Sequence, residues 1–180
     1  MLLRALIDAN AMVSGWTLDV LMSLAEEGLY QPVWSQRILD EFCRVGKTLG
    51  FGEGAERKAT HMNRAFPDAC IEGWERRVGQ VVLPDPDDRH VVAAAIEGEC
   101  DCVVTYNLRD FPEGELARLG IRALSPDGLV MELVEKSPVS AYVVIEGLIG
   151  SKRRPPRTYD EEIEGLRRCG MRRFAEWLDN

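Results

Sequence analysis

Leu2-Leu3-Arg4-Ala5-Leu6-Ile7-Asp8-Ala9-Asn10 is the stretch that decides the fold. Its first six residues are apolar apart from Arg4. The run is too short for a buried helix and lacks polar alternation, so it reads as a strand covered on both faces. Asp101-Cys102-Val103-Val104-Thr105 reads the same way, and Val81–Leu83 and Ile121–Leu124 predict two more short strands. Helices separate them. Thr17 caps one that carries Leu18, Leu21, Leu24 and Ala25 and ends at Gly28, and Ser35 caps another through Leu49, stopped by Gly50. Residues 54–77 read as helical with a restart at Pro67. Asp85-Pro86 opens a helix through Glu97 that Gly98 closes, Pro112–Leu119 forms a short helix, and Ser125-Pro126 starts one through Lys136. Strands alternating with helices of this length predict an α/β protein with a parallel sheet flanked by helices. In such sheets ligands sit beyond the carboxyl ends of the strands, where strand order reverses.

The pattern changes after Lys136. Residues 137–180 predict a helical C-terminal extension: a helix over 139–149, a polar turn Lys152–Arg157, a Thr158–Glu161 capping box opening a helix through Cys169, and a last helical turn or two over 171–178. The chain thus divides into a sheet domain, 1–136, and the extension, 137–180. The Val139–Ile149 helix is unusually apolar for a tail; it either packs on the domain or meets a second copy in a homodimer.

Composition narrows the class. Of 180 residues, 46% are hydrophobic and 29% charged, the balance of a globular protein with a sizeable core. No apolar stretch approaches the about 18 residues that a membrane helix needs. Met1 leads into Leu2–Ile7 without a basic region or small-residue cleavage site, so no secretory signal is expected. Cys43, Cys70, Cys100, Cys102 and Cys169 are odd in number and irregular in spacing, which predicts free thiols and a cytoplasmic protein. The net charge is −8, against passive coating of nucleic acid through its phosphates. Residues 1–136 hold fourteen basic and twenty-three acidic residues, while 137–180 hold eight basic and seven acidic ones. The acidity is concentrated in the sheet domain.

Helical geometry sorts those acids. On the 35–49 helix, Ile38, Leu39, Phe42, Val45 and Leu49 cover one buried arc; Glu41 falls about 40° outside one edge, and Asp40 faces water. Glu41 is therefore either an ion-pair partner of Arg37 or Arg44 or a side chain bordering a site. On the next helix Asp88 lies in line with Val91, Val92, Ala95 and Ile96. It reads both as the N3 residue of a capping arrangement with Asp85 and Pro86 and as an acid aimed along a buried face. Asp8, at the end of a central strand, is costly as a bare carboxylate unless paired or bound to a cation, or it caps the helix that follows. Asp110 either turns a loop, caps the Pro112 helix or joins the same site. Carboxylates that converge cannot all stay ionised without counter-charge. Mg²⁺ or Mn²⁺ takes oxygen ligands, keeps several waters, activates one and steadies a phosphodiester under attack. A bound cation would also reconcile an acidic chain with a polyanionic substrate.

The order Leu6-Ile7-Asp8-Ala9-Asn10, Ile38-Leu39-Asp40-Glu41-Phe42, Asp85-Pro86-Asp87-Asp88-Arg89 and Val103-Val104-Thr105-Tyr106-Asn107-Leu108-Arg109-Asp110-Phe111-Pro112 resembles the PIN-domain ribonucleases, over about residues 2–136. Within them it looks most like the VapC-type toxins of bacterial toxin–antitoxin pairs. The resemblance implies a PIN-like parallel sheet and a Mg²⁺-dependent endoribonuclease, with Mn²⁺ as a substitute. It implies catalytic, metal-holding acids at Asp8, Glu41, Asp88 and Asp110, with Asp8 and Asp88 as main ligands. A cognate antitoxin is the implied partner, occluding the acids, for instance with a basic side chain. The family often carries an aspartate where this chain has Asn107, which makes Asp110 the fourth acid and Asn107 a neutral ligand or hydrogen-bond partner.

Asn10, Ser14, Thr105 and Asn107 are the supporting polar residues; Ser14 and Thr105 either orient a carboxylate or metal-bound water, or cap turns. Lys152, Arg153, Arg154 and Arg157 are candidates for RNA or partner contact, or a solvated turn. His61 and His90 have no metal-ligand spacing. Two rivals stand beside the nuclease. One is a non-catalytic RNA- or protein-binding module that has lost its metal through Asn107. The other is a haloacid-dehalogenase-like phosphatase, since Asp8-Ala9-Asn10 and Val103-Val104-Thr105 are similar to two of that family's motifs. The phosphatase needs an acidic motif after Thr105, whereas Asp85–Asp88 precedes it.

Overall fold

The computed structural model describes residues 2–151 and 158–179. Four strands, β1 (Arg4–Ile7), β2 (Gln31–Val33), β3 (Cys102–Val104) and β4 (Arg122–Leu124), form one parallel sheet in the order β2-β1-β3-β4. Leu6 stands opposite Val33 on one side and Val103 on the other. Ala5, Leu6 and Ile7 of β1 and Cys102, Val103 and Val104 of β3 are fully buried, as their unbroken apolar runs require. From β1 the chain pairs outward to β2 and then returns to the other side through β3. The gap beyond the ends of β1 and β3 is therefore the point where strand order reverses.

Ten helices flank this sheet among the described residues. The sheet domain carries α1 (Ala9–Val13), α2 (Gly15–Glu26), α3 (Gln36–Thr48), α4 (Gly52–Ala65), α5 (Arg89–Glu97), α6 (Glu113–Ala117) and α7 (Pro126–Lys136). Ser35 and Ser125 cap α3 and α7 through the Ile38 and Gly128 amides, and Gly50 takes the left-handed turn after α3.

Three local expectations are corrected. Val81–Leu83 is not a strand: it is extended, with Val81 and Leu83 buried and Val82 exposed, and it has no ladder partner. The strand beside β1 is Gln31–Val33 instead. Its Pro32 argues against a strand in the sequence, but β2 lies at the sheet edge, where a missing amide is tolerated. Pro67 does not restart a helix. The Ala69 carbonyl and Ile71 amide pair with Trp34, which draws the chain alongside β2 until a 3₁₀ turn at Trp74–Gln80. Thr17 does not cap α2; Ser14 does, because the chain coils into α1 directly after β1.

In the extension, α8 (Pro138–Ser151), α9 (Tyr159–Arg168) and α10 (Arg172–Leu178) follow, with the Thr158–Glu161 capping box formed. The Lys152–Arg157 turn lies outside the described residues. Helix α8 buries Ala141 and Ile145 and leaves Val139, Tyr142 and Val143 exposed. The buried Asp127 carboxylate of α7 accepts from the Arg173 and Phe174 amides at 3.3 and 3.0 Å, so the start of α10 is capped from a neighbouring helix. All five cysteines are free.

Loss of that cap is expected to cost about 1–2 kcal/mol. Asp127→Ala should lower the Tm by about 3–6 °C for a chain of this size; an unchanged melting curve would show that α10 is held by its apolar face alone.

Candidate active site

Asp8 is the first residue beyond β1 and 7% exposed. Its backbone amide donates to the Val104 carbonyl, continuing the ladder one step past the strand ends. The side chain caps α1: Oδ1 accepts from the Ala9 amide at 2.7 Å, and Oδ2 accepts from the Thr105 hydroxyl at 2.9 Å. Thr105, fully buried just after β3, is held in turn by Asn10, whose Nδ2 donates to Thr105 Oγ1 at 2.8 Å. Asn10 Oδ1 accepts from the Tyr106 amide at 2.9 Å, and the Asn107 amide donates to Thr105 Oγ1 at 3.1 Å. Two of the supporting residues, Asn10 and Thr105, thus join the ends of the central strands around Asp8. Ser14 instead caps α2.

Burial pushes the Asp8 carboxyl up, against the stabilising Thr105 hydroxyl and Ala9 amide; Glu41 adds to the rise and His90 opposes it. Asp88 behaves in the same sense. It sits at the cap position of α5 without making a capping hydrogen bond, because Asp85 serves the preceding turn through the Asp87 amide. The N3 capping reading of Asp88 is therefore not realised. Its carboxylate has no hydrogen-bond or ion-pair partner among the described residues. Desolvation, then the charges of Asp8, Asp85 and Asp110, raise its pKa to about 6.

Asp110 lies in a 3₁₀ turn, Leu108–Asp110, and accepts from the Asn107 side-chain amide, whose oxygen accepts from Arg109 Nε at 3.2 Å. Asn107 is thus the hydrogen-bond partner of Asp110. Glu41 is the most restrained of the four acids. Arg37 Nε donates to Glu41 Oε1 at 3.3 Å, and His90 Nε2 lies 3.1 Å from the same oxygen. Burial works to raise the Glu41 pKa, but His90 and then Arg37 outweigh it and the net direction is down. Asp40 is exposed and accepts from Gln36. Lys152, Arg153, Arg154 and Arg157 lie outside the described residues.

Asp88 therefore feels the charges of Asp8 and Asp110, and Asp8 that of Glu41, near the strand-order reversal. Among the described residues, however, no three acidic, histidine or cysteine side chains come together as a set that could hold a metal by themselves. The donor set suits a hydrated hard cation on two carboxylates: all-oxygen ligands, surplus negative charge, and an Asp88 carboxylate without a partner. Sequence reasoning sets His90 aside and passes over Trp74 and Tyr106. His90 sits two residues after Asp88 with no ligand spacing to mark it. Tyr106 places its hydroxyl 2.7 Å from Thr17 Oγ1. A Cβ on Gly170, whose φ is +91°, would lie 3.1 Å from the Tyr106 ring.

A family model described as the PIN domain matches residues 4–109, and one described as the VapC50 C-terminal domain matches residues 126–180. The curated "Putative ribonuclease VapC50" of Mycobacterium tuberculosis (strain ATCC 25618 / H37Rv) is 33% identical over 79 residues, which are 44% of this chain and 47% of that protein. The match thus spans about half the length of the curated relative. No solved structure matches significantly.

A raised folded-state pKa means that Asp88 keeps a proton in the fold that the unfolded chain has already released. Its contribution to stability is present below about pH 4 and is lost as pH rises through about 6. In chelator-treated protein, Asp88→Asn should melt higher than wild type at pH 7.5, by about 2–4 °C for ~1 kcal/mol. The two should melt together at pH 3.5, and a difference that does not depend on pH would disprove the charge crowding.

Proposed function

This chain belongs to the PIN-domain family, and on that footing we propose that it is a Mg²⁺-dependent endoribonuclease, the toxin of a type II toxin–antitoxin pair. The observation that carries the reading is the gathering of Asp8, Asp88 and Asp110 beyond the central strands, with no hydrogen-bond or ion-pair partner on Asp88 among the described residues. The match of residues 126–180 to the VapC50 C-terminal domain supports the toxin role.

A bound Mg²⁺ or Mn²⁺ would supply water activation and charge neutralisation at the scissile phosphodiester. Asp8 and Asp88 would hold it, with Glu41 and Asp110 completing the shell directly or through water. The chain's own contribution is orientation. Thr105 and the Ala9 amide each fix one oxygen of Asp8, and Asn10 fixes Thr105, so the carboxylate cannot swing away from the pocket. Asn107 does the same for Asp110. The partner is a cognate antitoxin that covers these acids with a basic side chain, the complement their surplus charge calls for. RNA reaches an otherwise acidic face because the cation reverses the local field.

One observation favours a second reading, a non-catalytic RNA- or protein-binding module: no three potential ligands come together as a metal-holding set among the described residues. Chelator-sensitive cleavage of RNA separates the two.

Asp8→Asn should reduce cleavage at least 100-fold and abolish Mg²⁺ binding with the circular-dichroism spectrum unchanged, whereas Asp40→Asn should keep full activity; equal activity in both variants would refute the assignment. Expression of the chain alone should arrest growth, and co-expression with the product of the adjacent small open reading frame should relieve it. Harmless expression of an active nuclease would contradict the toxin role.

A further inference from the structure

Glu41 is fastened on a device that the sequence alone does not announce. His90, on α5, is 97% buried, and its Nδ1 has no hydrogen-bond partner among the described residues. The ring's polar contact is therefore confined to Nε2, 3.1 Å from Glu41 Oε1. Arg37, one turn before Glu41 on α3, donates to the same oxygen. Trp74 closes the circuit. Its ring centroid is 5.8 Å from that of His90, and the Arg37 guanidinium carbon stands 6.0 Å from the Trp74 ring centre. Arg37, Trp74, His90 and Glu41 thus form a closed ring drawn from α3, the 3₁₀ turn at 74–80 and α5.

Both donors meet on Oε1, and Oε2 has no partner among the described residues. A carboxylate held by one oxygen and open at the other is arranged to present the open oxygen to a ligand. The charge of Glu41 also acts on Asp8, so the two acids are electrostatic neighbours. An isolated surface ion pair between Arg37 and Glu41 would be loose and worth little. The buried imidazole, which carries an orphaned nitrogen, is what turns the pair into a fixed support.

We propose that His90 and Trp74 are positioning residues, which clamp Glu41 Oε1 so that Oε2 faces the pocket shared with Asp8 and Asp88. The clamp rests on the nuclease reading only in what Oε2 is offered to, a divalent cation or its water. Outer partners of a metal-site carboxylate typically change affinity or activity about 10–100-fold when removed.

The experiment compares His90→Gln, which keeps an amide donor at the reach of Nε2, with His90→Leu and Trp74→Phe with Trp74→Ala. Mn²⁺ affinity is read from the free-ion EPR signal and the Glu41 side-chain carboxyl from its ¹³C resonance, with thermal melting as the fold control. His90→Leu should weaken Mn²⁺ binding about 10-fold or more and move the Glu41 resonance, while His90→Gln restores most of both. Trp74→Ala should act as a weaker His90→Leu, and Trp74→Phe should be close to wild type. Should His90→Leu fail to fold, the Gln and Trp74 variants decide. Wild-type Mn²⁺ affinity and an unmoved Glu41 resonance in His90→Leu, or in Trp74→Ala where His90→Leu does not fold, would overturn the clamp, as would losses in His90→Gln equal to those in His90→Leu. If wild type binds no Mn²⁺, the nuclease reading fails, and the carboxyl resonance alone decides the clamp.

Discussion

The hydrogen bond from the Thr105 hydroxyl to Asp8 ties together two strand ends that are almost a hundred residues apart in the chain. On its own such a bond contributes about 1 kcal/mol, more when the acceptor is charged. Its importance lies in what it fixes. Thr105 follows β3 and Asp8 follows β1, so the bond exists only if the two strands are neighbours in the observed register. It also leaves the hydroxyl oxygen free to accept from Asn10 and from the Asn107 amide. The crossing of the chain from β2 back to β3, the cap on α1 and the loop leading to Asp110 all meet on this one side chain.

Around that knot the fold accepts an electrostatic penalty. Buried Asp8 and partnerless Asp88 both have raised carboxyl pKa values, and their repulsion works against the compact state at neutral pH. A large apolar sheet and tightly packed helices offset it. Glu41 is managed differently: Arg37 Nε and His90 Nε2 both lie against one of its oxygens. The acids near the strand ends are thus of two kinds, one crowded and the other supported.

Much of this was legible in the sequence because the central strands are buried on both faces and their composition says so. β1 and β3 announced themselves through Ala5-Leu6-Ile7 and Cys102-Val103-Val104. β2 did not, since Pro32 argues against a strand until its edge position is known. Val81–Leu83 has strand composition, yet β2 already occupies the edge beside β1. The positions of Asp8, Asp88 and Asp110 followed from helix angles and strand ends, together with the family resemblance. Asp85 is the N-cap that the spacing indicates, and of the two readings open for Asp88 only the N3 capping partner is not realised, because spacing does not show which way a first-turn carboxylate turns. His90 and Trp74 were invisible for a different reason. Their association is a packing result among three separated elements, and no local period encodes it.

The proximity of Tyr106 and Gly170 joins the two halves of the protein. Tyr106 belongs to the loop that carries Asn107 and Asp110, whereas Gly170 turns the chain between α9 and α10. Its left-handed backbone and the ring beside it leave no room for a larger residue. The last two helices therefore form one wall of that loop, and a side chain at position 170 would press on the tyrosine and through it on the segment leading to Asp110.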